Sequence, residues 1–249
     1  DDTFGLYGGN NATDNSGVYQ YISIRHGGAL IGEGNEINGL TLGGVGSGTV
    51  IENIEVVGNV DDGIEFFGGT VNASNLLVWA QGDDALDIDQ AYSGTINNAV
   101  VVLGTNSDHA FEIDGPEGSA TGSFSLTNVT IIGNQITEDG EYADYRSNAM
   151  GSTENIYAYG FKSSSDIELD NDGVATNYNN GLLSFGTWEI VVPTGVENAS
   201  DVFVNKASTV TVTDFGSTAT AISQGANTVG ATTSLLNWTY ANTKAGLGF

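Results

Sequence analysis

Asp61-Asp62-Gly63-Ile64-Glu65-Phe66-Phe67 decides how this chain is read, because the stretch returns. Twenty-two residues on stands Asp83-Asp84-Ala85-Leu86-Asp87-Ile88-Asp89, and twenty-five beyond that Asp108-His109-Ala110-Phe111-Glu112-Ile113-Asp114. Ser165-Asp166-Ile167-Glu168-Leu169-Asp170 is a weaker echo, and Asn38-Gly39-Leu40-Thr41-Leu42 an uncharged one. A period in the twenties is that of a solenoid whose every repeat forms one coil.

Two further elements travel with the acidic one. Tyr21-Ile22-Ser23-Ile24-Arg25 alternates with period two, and its equivalents start at Asn53, Asn75, Asn98, Asn128 and Asn155. Before these units stand Gly48-Thr49-Val50, Gly69-Thr70-Val71, Gly94-Thr95-Ile96 and Gly122-Ser123-Phe124. Each coil thus has three strand pieces, and stacked coils build three parallel sheets with strands ~4.8 Å apart. Gly interrupts every window long enough for a helix, so helices are not expected. The expected fold is all-β: a right-handed parallel β-helix, a three-sheet solenoid with an irregular C-terminal cap. Residues 1–181 read as its coils, and 182–249 as last coils with a capping or wrapping segment of the same domain. Such a segment would cover strand edges that invite aggregation.

Composition narrows the partners. Acidic residues outnumber basic ones 31 to 5, for a net charge of −26. That balance speaks against nucleic acid, whose phosphates need Lys and Arg, and against anionic membrane surfaces. No apolar run approaches the ~18 residues of a membrane span. The absence of Cys leaves the redox compartment open. Asp1-Asp2-Thr3-Phe4-Gly5 is not a signal peptide, and reads as a processed or truncated start.

Asn35-Glu36-Ile37-Asn38-Gly39-Leu40, the run Asp61 to Val71 and the closing Trp238-Thr239-Tyr240-Ala241 carry a resemblance. The chain resembles secreted bacterial β-helix proteins of marine and Bacteroidetes type, pectin-lyase-like in fold and mostly without assigned activity. The resemblance implies a fold, a secreted or cell-surface location and additional N-terminal coils. It transfers no catalytic residue.

Period two assigns sides. Ile54/Val56, Leu76/Val78 and their equivalents point inward, leaving Val57, Trp79, Val102, Ile132 and Tyr159 in an outward column beside Glu55, Leu77, Val100, Thr130 and Tyr157. So apolar a face needs a cover. The loop after Ile132 or the C-terminal stretch would supply it; otherwise the face is a partner surface, or a sugar-binding platform of Trp79, Tyr157 and Tyr159.

In the acidic strands, Glu65, Asp87, Glu112 and Glu168 form one outward column, and Asp89, Asp114 and Asp170 the next. Asp61, Asp83 and Asp108 stack at the corner, beside Asp62, Asp84 and His109. Like charges ~5 Å apart repel by ~1 kcal/mol in water and a few-fold more near a protein surface. Bridging cations, protonated carboxyls or corner N–H groups would relieve this. All-oxygen ligands favour Ca²⁺ over Mg²⁺, with Asp61, Asp62, Glu65, Asp83, Asp84, Asp87, Asp89, Asp108, Glu112 and Asp114 as the candidate set. The plainer reading is a solvated face whose side chains splay apart. The Asn column reads as an amide ladder.

Catalysis has a smaller footing. Asp62, Asp84 and Asp87 could place two carboxyls the ~5–9 Å apart that glycoside hydrolysis uses, and His109 is the best acid–base candidate. Any acidic ladder offers such distances, and a His that replaces Asp in it simply relieves repulsion. A lyase would need a nearby Arg or Lys, and Arg25 lies on a different sheet. Two functions are therefore carried forward. One is a structural, adhesive or assembly-forming module, calcium-stabilised and glycan-contacting, with end-to-end self-association. The other is a polysaccharide hydrolase or lyase working on the acidic ladder.

Overall fold

The computed structural model describes residues 7–29, 37–116, 118–137 and 139–249; the Asn35-Glu36 part of the motif above lies outside them. Six coils each contribute a long strand and a short one. They are β1 (Val18–Arg25) with β2 (Leu40–Gly43), β3 (Val50–Val57) with β4 (Ile64–Phe67), and β5 (Asn72–Trp79) with β6 (Leu86–Asp89). Then come β7 (Thr95–Val102) with β8 (His109–Ile113), β9 (Phe124–Ile132) with β10 (Glu141–Tyr145), and β11 (Gly151–Tyr159) with β12 (Ile167–Leu169). Helix α1 (Asp172–Asn179) follows, then β13 (Leu183–Phe185), β14 (Trp188–Ile190), β15 (Phe203–Asn205) and β16 (Ala219–Ala221). Every pairing is parallel and in register along the stack, giving a right-handed parallel β-helix.

Among the described residues the hydrogen bonds form two sheets, not three. The Gly-Thr-Val and Asn-led pieces are one continuous strand, bent at the Asn. Asn53, Asn75, Asn98, Asn128 and Asn155 all sit at φ between 56° and 64°, with Tyr21 taking the same role in β1. Asn tolerates this left-handed region better than other side-chain-bearing residues, so one sheet wraps two faces. Asn98 Nδ2 donates to Asn75 Oδ1 at 2.8 Å and Asn155 Nδ2 to Asn128 Oδ1 at 3.1 Å. The ladder steps aside once, where Asn128 donates to Asn97.

Inside, Ile54, Phe66, Leu76, Ile88, Val101 and Phe111 stack without exposed surface. The chain turns into these acidic strands against a Val side chain of the next coil. A Cβ on Gly39 would lie 2.4 Å from Val56 Cγ1, and one on Gly63 2.4 Å from Val78 Cγ1, which explains glycine at these two positions; the equivalent positions in the next two coils are Ala85 and Ala110. At the far end Trp188, Phe185, Phe203 and Phe215 fill the core edge to edge.

Helix α1 corrects the expectation of no helix. Asn171 caps it, accepting from the backbone N–H groups of Gly173 and Val174, and Val174 and Ala175 bury against the aromatic end. No helix among the described residues is long and apolar enough to cross a membrane.

The apolar outer face is covered by the C-terminal stretch, residues 225–249, which runs back down the stack. Gly225 N donates to Tyr157 Oη, Ala231 N to Thr130 Oγ1, Thr232 N to Asn98 Oδ1 and Ala241 N to Glu55 Oε1. Leu236 and Ala241 pack on Val57, Leu77, Val100 and Val102 in a second apolar core. Tyr240 stacks under Arg25, and Trp238 meets Tyr21 edge-on.

Candidate functional site

The second sheet carries the acidic columns in register. Its outward column reads Thr41, Glu65, Asp87, Glu112, Asp144, Glu168, Val204. The corner behind it brings Asp62 beside Asp84 and Asp84 beside His109, and here some of the charge is absorbed by the backbone. Asp62 Oδ1 accepts from Asp84 N at 3.0 Å, and Asp84 Oδ1 from His109 N at 2.8 Å. Each carboxylate thus holds the coil above it.

β10 was not legible as an acidic strand. It sets Glu141 beside His109 and Asp144 beside Glu112. Its signal was present in Glu141-Tyr142-Ala143-Asp144-Tyr145, which repeats the acidic–apolar alternation with Tyr and Ala where other coils use Ile and Leu. A longer loop before it broke the spacing.

Two basic residues also sit beside this sheet, although Arg25 does not, and they supply part of its counter-charge. Arg146 pairs with Glu112, and its Nε lies 2.7 Å from Asp114 Oδ2. Lys206 pairs with Glu168 and lies 3.7 Å from Asp166. Both stand in the later coils. His109 marks the boundary, its Nδ1 2.8 Å from Asp84 Oδ1. Burial alone would lower its pKa, but the hydrogen bond and charge of Asp84, with Asp108 and Asp144 nearby, push it up to about 9. It is an imidazolium at neutral pH, a counter-charge in the ladder and a poor base.

The earlier coils have no such relief. Among the described residues, no Lys or Arg pairs with Asp62, Glu65 or Asp87, whose oxygens approach within 4.8 Å of one another. Burial is the main cause that lifts all three. Asp62 rises to about 8 with help from Asp84, Glu65 to about 8 with help from Asp89, and Asp87 to about 10 with help from Asp62 and Glu65. Glu65 also shares a side-chain hydrogen bond with Asp87 and accepts from Asn38 Nδ2. Asp87 is 8% exposed, and its Oδ1 has no hydrogen-bond partner. Asp61, Asp62 and Asp83 form a second close group, and Asp84, Asp108 and His109 a third. The donors of the first two groups are carboxylate oxygens throughout, which suits a hard divalent cation.

Of the proposed aromatic platform, Tyr157 is 5% exposed beneath the C-terminal stretch and Trp79 packs against the same cover. Tyr159 leans on Tyr157, the rings tilted by 32° with centroids 5.2 Å apart. The aromatic residues beside the acidic sheet are instead Phe67, aligned with Asp89, and Tyr7, 5.9 Å from it.

A family model described as a pectate-lyase-like beta helix domain matches residues 2–243. No curated protein and no solved structure matches the chain.

Proposed function

The chain belongs to the pectate-lyase-like β-helix family, and from that premise we propose a secreted or cell-surface module with a structural and adhesive role, stiffened by Ca²⁺ on its acidic sheet. One observation carries the cation: Asp62, Glu65 and Asp87 converge, buried and, among the described residues, without a basic partner, around an Asp87 oxygen that none of those residues satisfies. A buried carboxylate without a partner is expensive, and an ion bridging β4 and β6 would satisfy it while tying successive coils together. The all-oxygen donor set and the strongly acidic surface fit a calcium-containing exterior.

The structural role is favoured over catalysis by what the same groups are doing. Asp62 and Asp84 hold backbone N–H groups, His109 is charged, and Arg146 is engaged by Glu112 and Asp114. End-to-end association of copies belongs to the proposal. β1 pairs only with β3 among the described residues, and an apolar hollow of about 230 Å³ lies between Tyr19, Ile22, Leu40 and Leu42 at that end.

Titration of the EDTA-stripped protein with CaCl₂ tests the cation. Saturable binding that excess MgCl₂ does not reproduce, lost in Asp87→Asn, is expected. Equal responses to calcium, magnesium and ionic strength would sink the assignment.

A further inference from the structure

A groove of about 530 Å³ runs along the stack beside the acidic sheet, crossing the turns that follow β2, β4 and β6. One wall is aromatic. Tyr7, half-exposed, leans on Phe67 with ring centroids 5.9 Å apart, and its hydroxyl donates to Gln90 Oε1 at 2.6 Å. The sheet is shaped for this. A Cβ on Gly43 would come 3.0 Å from the Tyr7 ring, and one on Gly44 would lie 2.8 Å from Gly8 Cα, so two glycines let the Tyr7 segment lie flat. Thr70, Gln90 and Ser93 add hydroxyl and amide groups, and every described residue lining the groove is uncharged.

We infer that this groove binds a neutral saccharide chain along the solenoid axis. An aromatic face set among amide, hydroxyl and backbone groups suits a sugar, whose C–H face stacks while its hydroxyls pair at the rim. The size suits a few sugar units. The sign of charge selects among them. The described lining offers no cation to an anionic sugar, and Asp89, paired with Phe67 in the next coil, would repel one. Uronate chains are therefore excluded and neutral chains accepted. The inference deepens the adhesive reading by naming what the module holds, and it rests on the groove and not on the cation.

Isothermal titration with cellohexaose, laminarihexaose and xylohexaose, each in CaCl₂ and in EDTA, tests it, with hexagalacturonate as the anionic counterpart. At least one neutral hexasaccharide is expected to bind in both buffers, with no heat from hexagalacturonate. Tyr7→Ala should weaken binding by about 5-fold or more while leaving the melting temperature unchanged. Silence from all three neutral probes, an unaltered affinity in Tyr7→Ala, or binding confined to hexagalacturonate would overturn the assignment. Failure of the calcium reading would look different: no calcium response, with saccharide heats intact.

Discussion

Removing calcium should make the protein progressively less stable as pH rises, and restoring it should reverse that loss. The magnitude follows from the Asp62–Glu65–Asp87 cluster. At the 4.8 Å limit of their mutual approach, one pair of ionised carboxylates repels by about 3 kcal/mol at an effective dielectric constant near 20. Three such pairs approach roughly 10 kcal/mol, which rivals the entire stability of a domain. Without an ion the cluster must keep protons, as its raised pKa values of about 8, 8 and 10 express. An acid whose pKa is raised by folding contributes stability below its unfolded value near 4, and loses it as pH climbs to the folded value. His109, raised to about 9, acts in the same direction from its unfolded value upward. In EDTA, melting temperature should therefore fall steadily from pH 5 to pH 9. Calcium displaces the cluster's protons, so its effect should grow over the same range. At 100-fold excess over its dissociation constant an ion adds about 2.7 kcal/mol, or roughly 5–10 °C for a chain of this size. Differential scanning calorimetry of the stripped and calcium-loaded protein at pH 5, 7 and 9 measures this. Asp87→Asn should flatten both the pH slope and the calcium response. A calcium effect independent of pH, or a stripped protein more stable at pH 9 than at pH 5, would refute the reasoning.

Three further outcomes follow from other parts of the structure. Leu236→Ala, in the second apolar core under the C-terminal stretch, should cost about 2–4 kcal/mol in urea unfolding and raise binding of a hydrophobic dye. Asn98→Ala should be more damaging than Asn98→Gly by about 1 kcal/mol, because only glycine occupies φ +64° freely; equal losses would place the whole effect in the side-chain hydrogen bonds to Asn75 and Thr232. Arg146→Ala uncovers Glu112 and Asp114, and because the arginine is partly exposed the loss should stay near 1 kcal/mol at low salt and shrink in 0.5 M NaCl.

What the sequence made legible was what repeats. The Asp61, Asp83 and Asp108 segments and the Asn series mark coils because each coil repeats one packing problem, and the solution must return in register. Features used once per chain leave no such trace. Helix α1 is one short element with one capping Asn, and the reach of Ala241 back to Glu55 spans most of the chain with no periodic signal. The bent sheet was hidden for another reason: a left-handed Asn and a break between strands look the same in sequence, and only the unbroken pairing on both sides separates them.

The two outward faces show why the site was harder to read than the fold. Both are stacks of like residues that water tolerates poorly, one apolar and one anionic. The chain solves the first with its own C-terminal stretch, each segment of which meets a particular outward residue, from Glu189 through Tyr157 and Thr130 to Glu55. That solution engages Tyr157 and Trp79, two of the three aromatic residues that looked available to a sugar. Among the described residues the second face meets Arg146 and Lys206 in its later coils. What remains at Asp62, Glu65 and Asp87 is a deficit the chain leaves to protons or to an ion. The groove under Tyr7 and Phe67, uncharged along its described lining, lies beside that deficit, and its ligand must accept an aromatic wall that offers no cation. Neutral sugars do.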